Sequence, residues 1–116
     1  MSEQPTIEAA LDILNPLLSS LENAYWDSSN IEVKDIVFDL TNCIHGEMNE
    51  LAKLSINDLS MPYEPITPAF RHSCMQLRNL MHNLHHYFHR TQTVSQLEHL
   101  IPKAASLLNK CSLKPV

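Results

Sequence analysis

The sequence predicts an all-α protein: an antiparallel up-down four-helix bundle with heptad-like core stripes. Three observations lead there. The 116 residues hold one glycine, whereas sheets and tight hairpins draw heavily on glycine-bearing turns. Four segments each carry a single apolar stripe at alternating spacings of four and three, which marks one face of a helix. Two short connections and one of medium length join them, as antiparallel neighbours require. A chain of this length supports one core, so residues 1–116 read as a single helical-bundle domain.

The first helix is expected over residues 6–25, on the series Ile7, Leu11, Leu14, Leu18, Leu21 and Tyr25. Pro16 removes an amide hydrogen and should kink this helix, but the apolar register continues across it. The run WDSSN from Trp26 to Asn30 ends it in residues that cap and turn. Ser29 with Glu32 offers a capping box for a second helix over residues 30–57. Val33, Val37, Leu40, Ile44, Leu51 and Leu54 form its stripe, and Glu47 breaks it. Pro62 and Pro65 should hold the next connection extended. Thr67 as cap and Pro68 in the first turn open a third helix over residues 68–90, with Phe70, Cys74, Leu77, Met81, Leu84 and Phe88 on one stripe. Thr93 with Gln96 suggests a second capping box for a fourth helix over residues 94–110, where Val94, Leu97, Ile101, Ala104, Leu108 and Cys111 recur and Pro102 should bend the axis.

The net charge of −5 conceals a division. Residues 1–66 hold twelve acids against Lys34 and Lys53, and residues 67–116 hold Glu98 against six Lys and Arg. The six cations are few and spread over two helices, so docking of an acidic hairpin on a basic one is the economical reading, without nucleic acid. Cys43, Cys74 and Cys111 are far apart, lack CxxC spacing and fall at helical core positions. They read as buried reduced thiols. No cationic start precedes an apolar run, and no apolar stretch approaches the ~20 residues that cross a bilayer. A cytoplasmic protein without membrane contact is expected.

Beside the third stripe, His82 with His86 and His85 with His89 form two i, i+4 pairs, a spacing that suits Zn²⁺ or another transition metal. Neither HExxH nor Glu-x-x-His is present. GxSxG and glycine-rich phosphate loops are missing too, so no catalytic residue and no cofactor is expected. The leading expectation is a non-enzymatic protein–protein interaction module: an inhibitor, an immunity-type antagonist or a regulatory adaptor with an unidentified protein partner. Trp26, Tyr63 and Glu64 are its contact residues, aromatic side chains being common at interface hot spots. Apolar residues outside the stripes, Ala10, Leu17, Leu80 and Tyr87, suit either a homodimer or the second neighbour of each helix. The alternative is a metal- or pH-responsive sensor built on His82, His85, His86 and His89. Glu47 must find a partner, because an unpaired buried carboxylate is costly. Counting along antiparallel helices sets it level with Leu77 to His82, and a two-hydrogen-bond pair with Arg78 is predicted.

Overall fold

The computed structural model describes residues 4–113, and among these the regular structure is helical, with no β-strand. Helix α1 spans Ile7–Trp26, capped by the Thr6 hydroxyl, which accepts from the Ala9 amide. It runs through Pro16 unbroken. Asp12, whose carbonyl loses its donor to the proline, is exposed as Pro16 is, so water can serve that oxygen. The start of α1 is stitched to a distant segment. Ile7 and Glu8 donate their amides to the carbonyls of Met61 and Leu59 at 2.9 and 3.0 Å, and the Tyr63 amide returns a bond to Pro5 at 2.7 Å. Two of the amides that every helix start leaves without partners are thereby satisfied.

Helix α2 covers Ile31–Leu51 and is capped by Asn30, whose side chain accepts from the Val33 amide at 3.0 Å; the Ser29–Glu32 box is not the cap. It ends six residues before the expected 57. Ser55 bonds the Asp58 carboxylate through both its amide and its hydroxyl, at 3.0 and 2.9 Å, and a short 3-10 turn at Ile56–Asp58 replaces the last helical turns. Local side-chain bonding of this kind competes with helix. Leu54 accordingly leaves the stripe for solvent.

The third expected helix is jointed. It divides into α3 (Pro68–Arg71), α4 (Cys74–His82) and α5 (Leu84–Tyr87). At the first joint the buried Ser73 hydroxyl donates to the Phe70 carbonyl at 2.7 Å. At the second, the Asn83 side-chain Nδ2 donates to the backbone carbonyl of Asn79 at 2.8 Å. Both side chains offer the backbone local partners, which breaks the ladder while the apolar register survives. Helix α6, Thr91–Ala105, starts three residues early with Arg90 as its cap, so Thr93 is buried in the first turn and makes no capping box.

The central element is α1, which packs along both α2 and α6, while α4 and α5 rest on α6 and α3 and α4 on α2. The buried apolar side chains form one cluster. Ala10, Leu17 and Leu80 lie wholly inside it and Tyr87 packs against it, so these residues give no reason for a homodimer. The acidic and basic halves meet through apolar side chains and hydrogen bonds rather than ion pairs. Among the described residues the ion pair formed is Lys53 with Glu50, within the acidic half.

The turns after α6 carry the chain back toward α4 through Lys110, held at a φ of 61°. Cys111 there bonds to Cys74, Cα atoms 5.6 Å apart. The expectation of three reduced thiols is thus corrected at two of them, and Cys43 alone remains a buried free thiol. Closing 37 residues of chain contributes about 4 kcal/mol by the loop-entropy relation. No helix among the described residues is long and apolar enough to cross a membrane.

Candidate functional site

Two constellations stand out, one at each end of α2. Toward the C-terminal end lies Glu47, fully buried. Its Oε2 accepts from the Tyr63 hydroxyl at 2.6 Å and the Ile66 amide at 2.8 Å, and its Oε1 accepts from the Thr67 amide at 2.8 Å and the Thr67 hydroxyl at 2.9 Å. The same Thr67 hydroxyl accepts from the Phe70 amide as the cap of α3. Four donors satisfy the carboxylate without a cation.

The predicted pair with Arg78 is not formed. Arg78 donates through Nε to the Ser112 carbonyl at 2.8 Å. The register count assumed that α2 continued to 57; α2 stops at Leu51, and the connection folds back to present its own donors.

Around Glu47 the acids are held neutral. Tyr63 is 2% exposed, and burial, reinforced by its bond to Glu47, raises its hydroxyl above the usual phenol range. Its ring belongs to the core. Burial pushes the Cys43 thiol up to about 11; a hydrogen bond with Ser73 opposes this and the charge of Glu47 adds to it. A buried thiol kept protonated is inert, not a nucleophile. Glu64 is exposed, lining an open groove with Gln4, Pro65 and Arg71.

The histidines do not assemble. His82 ends α4, His85 and His86 sit in α5, and His89 lies beyond it, so the joint at Asn83 divides the first pair and the end of α5 at Tyr87 divides the second. All four are exposed, and His82 donates from Nε2 to the Leu113 carbonyl at 2.6 Å. Among the described residues no three His, Cys, Asp or Glu side chains converge on a metal-sized space. Instead Cys74, Arg78 and His82, spaced by four on α4, hold the chain at Cys111, Ser112 and Leu113.

The opposite end of α2 carries an aromatic ledge. Trp26, the last residue of α1, is 80% exposed. Its ring stands edge-on to Tyr25 at 5.2 Å, and Tyr25 lies 6.3 Å from Phe38 of α2. Phe38 is 52% exposed and Ile31, seven residues earlier on the same face, 74%. The Lys34 ammonium fixes the rings: it donates to the Tyr25 carbonyl at 2.9 Å and sits 4.7 Å from the Tyr25 ring centre and 5.4 Å from that of Trp26. A cation at a helix C-terminus meets carbonyls without partners, and here it meets two π-faces as well.

The corner beneath is tied down. The Asp27 carboxylate accepts from the Arg90 amide at 3.0 Å, the Ser29 amide donates to Tyr87 at 3.1 Å, and Ser28 pairs with Phe88. Exposed carboxylates frame the ledge: Glu22 lies one turn before Trp26, and Glu32, Asp35 and Asp39 flank Ile31 and Phe38. On the α6 side, Trp26 borders a groove with Asn23, Arg90, Gln92 and Gln96.

Of the expected contact residues, Trp26 and Glu64 are exposed, far apart in the chain, and Tyr63 is buried. Ile31, Lys34 and Phe38 are not among the contact residues expected from the sequence. Their signal was present: Ile31 and Phe38 are large apolar residues a heptad apart and off the Val33–Val37–Leu40 stripe. Comparison with protein-family models, curated proteins and solved structures found no match to this chain.

Proposed function

We propose that this protein is a non-enzymatic interaction module that docks onto another protein through the ledge of Tyr25, Trp26, Ile31 and Phe38, acting as an inhibitor, antagonist or regulatory adaptor. The exposure of Trp26 carries this reading. A lone exposed apolar residue needs no explanation, but here three of them gather on two helices around one corner. Trp and Tyr dominate interface hot spots. The ledge is also held before any partner arrives, by Lys34 and by the bonds at Asp27 and Ser29, which lowers the ordering cost of association.

We read the scaffold as an up-down four-helix bundle whose third rod is jointed, with the ledge at the α1–α2 corner. The cytoplasmic placement expected from the sequence fits if Cys74 and Cys111 are kept as thiols; the bond between them favours an oxidising compartment. The test is site-specific photo-crosslinking in native extract, with benzoylphenylalanine at position 26 and, as control, at the exposed His99. A stoichiometric protein adduct at 26, absent at 99 and lost with Phe38→Ser, is expected. Equal adducts at both positions would remove the ledge from the function.

A further inference from the structure

Building on the ledge reading, we propose that the partner is a cationic amphipathic segment of another protein. Its apolar face lies on Trp26, Ile31 and Phe38, and its Lys or Arg side chains meet Glu22, Glu32, Asp35 and Asp39. The apolar floor has exposed carboxylates along its α2 side and one turn back on α1. Within residues 1–52 the sequence has one Lys and no Arg, and that residue, Lys34, faces inward onto the Tyr25 carbonyl and the two rings. It forms part of the floor, half-buried, and its single positive charge stands against the four exposed carboxylates around it. Asp27 is engaged by the Arg90 amide. Arg90 is the cation on the other side of Trp26, and with Gln92 and Gln96 it marks where the acidic frame ends.

The remaining field is negative along α2, from Ile31 to Asn42, about 16 Å or three turns of a helix laid alongside. Charges of this kind steer encounter and select partners more than they add affinity, while the apolar floor supplies the hold. The same charges reject the two obvious rivals. A second copy docking ledge to ledge would set carboxylates against carboxylates, and an anionic bilayer would meet the same repulsion.

Trp26 is the only tryptophan in the chain, so its emission reports on the ledge directly. The full chain is titrated at low salt with an amphipathic Leu–Lys peptide of about five turns, its Leu–Glu counterpart, and phosphatidylserine-containing vesicles. The Leu–Lys peptide should shift Trp26 emission to the blue and bind at least about tenfold more tightly than Leu–Glu, the preference shrinking as NaCl screens it. The double substitution Asp35→Lys and Asp39→Lys, both at exposed positions, should reverse the preference with the circular dichroism unchanged. Equal binding of the two peptides overturns the cationic partner and leaves the ledge reading standing. A shift with vesicles but with neither peptide overturns it in favour of a lipid surface. Trp26-dependent self-association in sedimentation, without peptide binding, overturns it in favour of a second copy. Silence toward every probe overturns the proposal, and the ledge reading falls with it if the crosslink at position 26 is also absent or no stronger than at position 99.

Discussion

Helix α2 ends in two opposite arrangements. Near its C-terminus a carboxylate is taken fully out of water and surrounded by four donors from Tyr63, Ile66 and Thr67. Near its N-terminus the carboxylates stay in water and large apolar side chains stay there with them. The first arrangement is stable only as a complete set, because a buried polar group without its partners costs free energy. The second forgoes burial of roughly 25 cal/mol for each Å² of apolar surface it leaves wet. Tyr63 and Trp26, both singled out in the sequence as contact residues, fall on the two sides of this division at 2% and 80% exposure. The lesson is that aromatic type alone does not assign a role. Where the polar edge of the ring is already bonded, the residue is holding the fold together.

The largest expected effect is at the closed end. Glu47→Ala strands the Tyr63 hydroxyl, the Ile66 and Thr67 amides and the Thr67 hydroxyl together. At about 1–3 kcal/mol for each buried group left without a partner, a loss of about 4 kcal/mol or more is expected, a large part of the stability of a domain this size. Glu47→Gln keeps one acceptor oxygen and turns an NH₂ toward donors, so it should fall between the variant and the parent. Urea unfolding followed by circular dichroism measures both. A Glu47→Leu variant as stable as the parent would erase the contrast between the two ends.

That end was only half legible in the sequence. Glu47 stood out because it interrupts the Val33–Leu40–Ile44–Leu51 stripe, and periodicity exposes such a residue whatever its partner. Its partners did not stand out, because two of the four are backbone amides that any residue type supplies. The register count that points to Arg78 takes the rods as continuous, and Ser55 with Asp58 at one end and Ser73 at the other show why they are not. The stripes held in part: Phe70, Leu77, Leu84 and Phe88 remain buried across both joints, but Cys74 and Met81 are half-buried and Leu80, beside the stripe, is fully buried. Apolar spacing reports which face is inward, whereas Ser and Asn decide locally where the helix stops. The bond from Cys74 to Cys111 was hidden for a related reason, since it depends on the turns at 106–110 bringing the chain back.

The next effect sharpens the same comparison through pH. Cys43 and Tyr63 are acids whose neutral forms the fold favours, the thiol rising from 9.0 to about 11. The unfolded chain therefore releases these protons first. Their contribution is full below about pH 9 and is lost as the pH rises; for the thiol the loss is complete near 11 and amounts to about 3 kcal/mol. Urea midpoints at steps from pH 8 to 11 should fall steadily. Cys43→Ala should flatten the lower part of that fall, and Tyr63→Phe should remove part of what remains above pH 10. A parent whose midpoint is level from pH 8 to 11 would show that water reaches the Glu47 end.

The smallest expected effect is at the open end, and it bears most directly on function. Trp26→Ala removes the largest kind of side chain, and in a core such a truncation costs about 3–5 kcal/mol. Here the ring is mostly in water, and it meets the edge of Tyr25 and the Lys34 ammonium. An exposed cation–π contact contributes about 0.5–1 kcal/mol, and Lys34 keeps its bond to the Tyr25 carbonyl and its place over the Tyr25 ring. The stability change should therefore stay below about 1 kcal/mol, against the full core penalty for Tyr63→Ala, whose ring and hydroxyl are both buried. Circular dichroism is the readout for the pair, because the substitution removes the only tryptophan. Equal losses for the two variants would make the ledge an outlying part of the core. With the expected inequality, Trp26→Ala is a folded protein, and any binding it loses is lost at the surface.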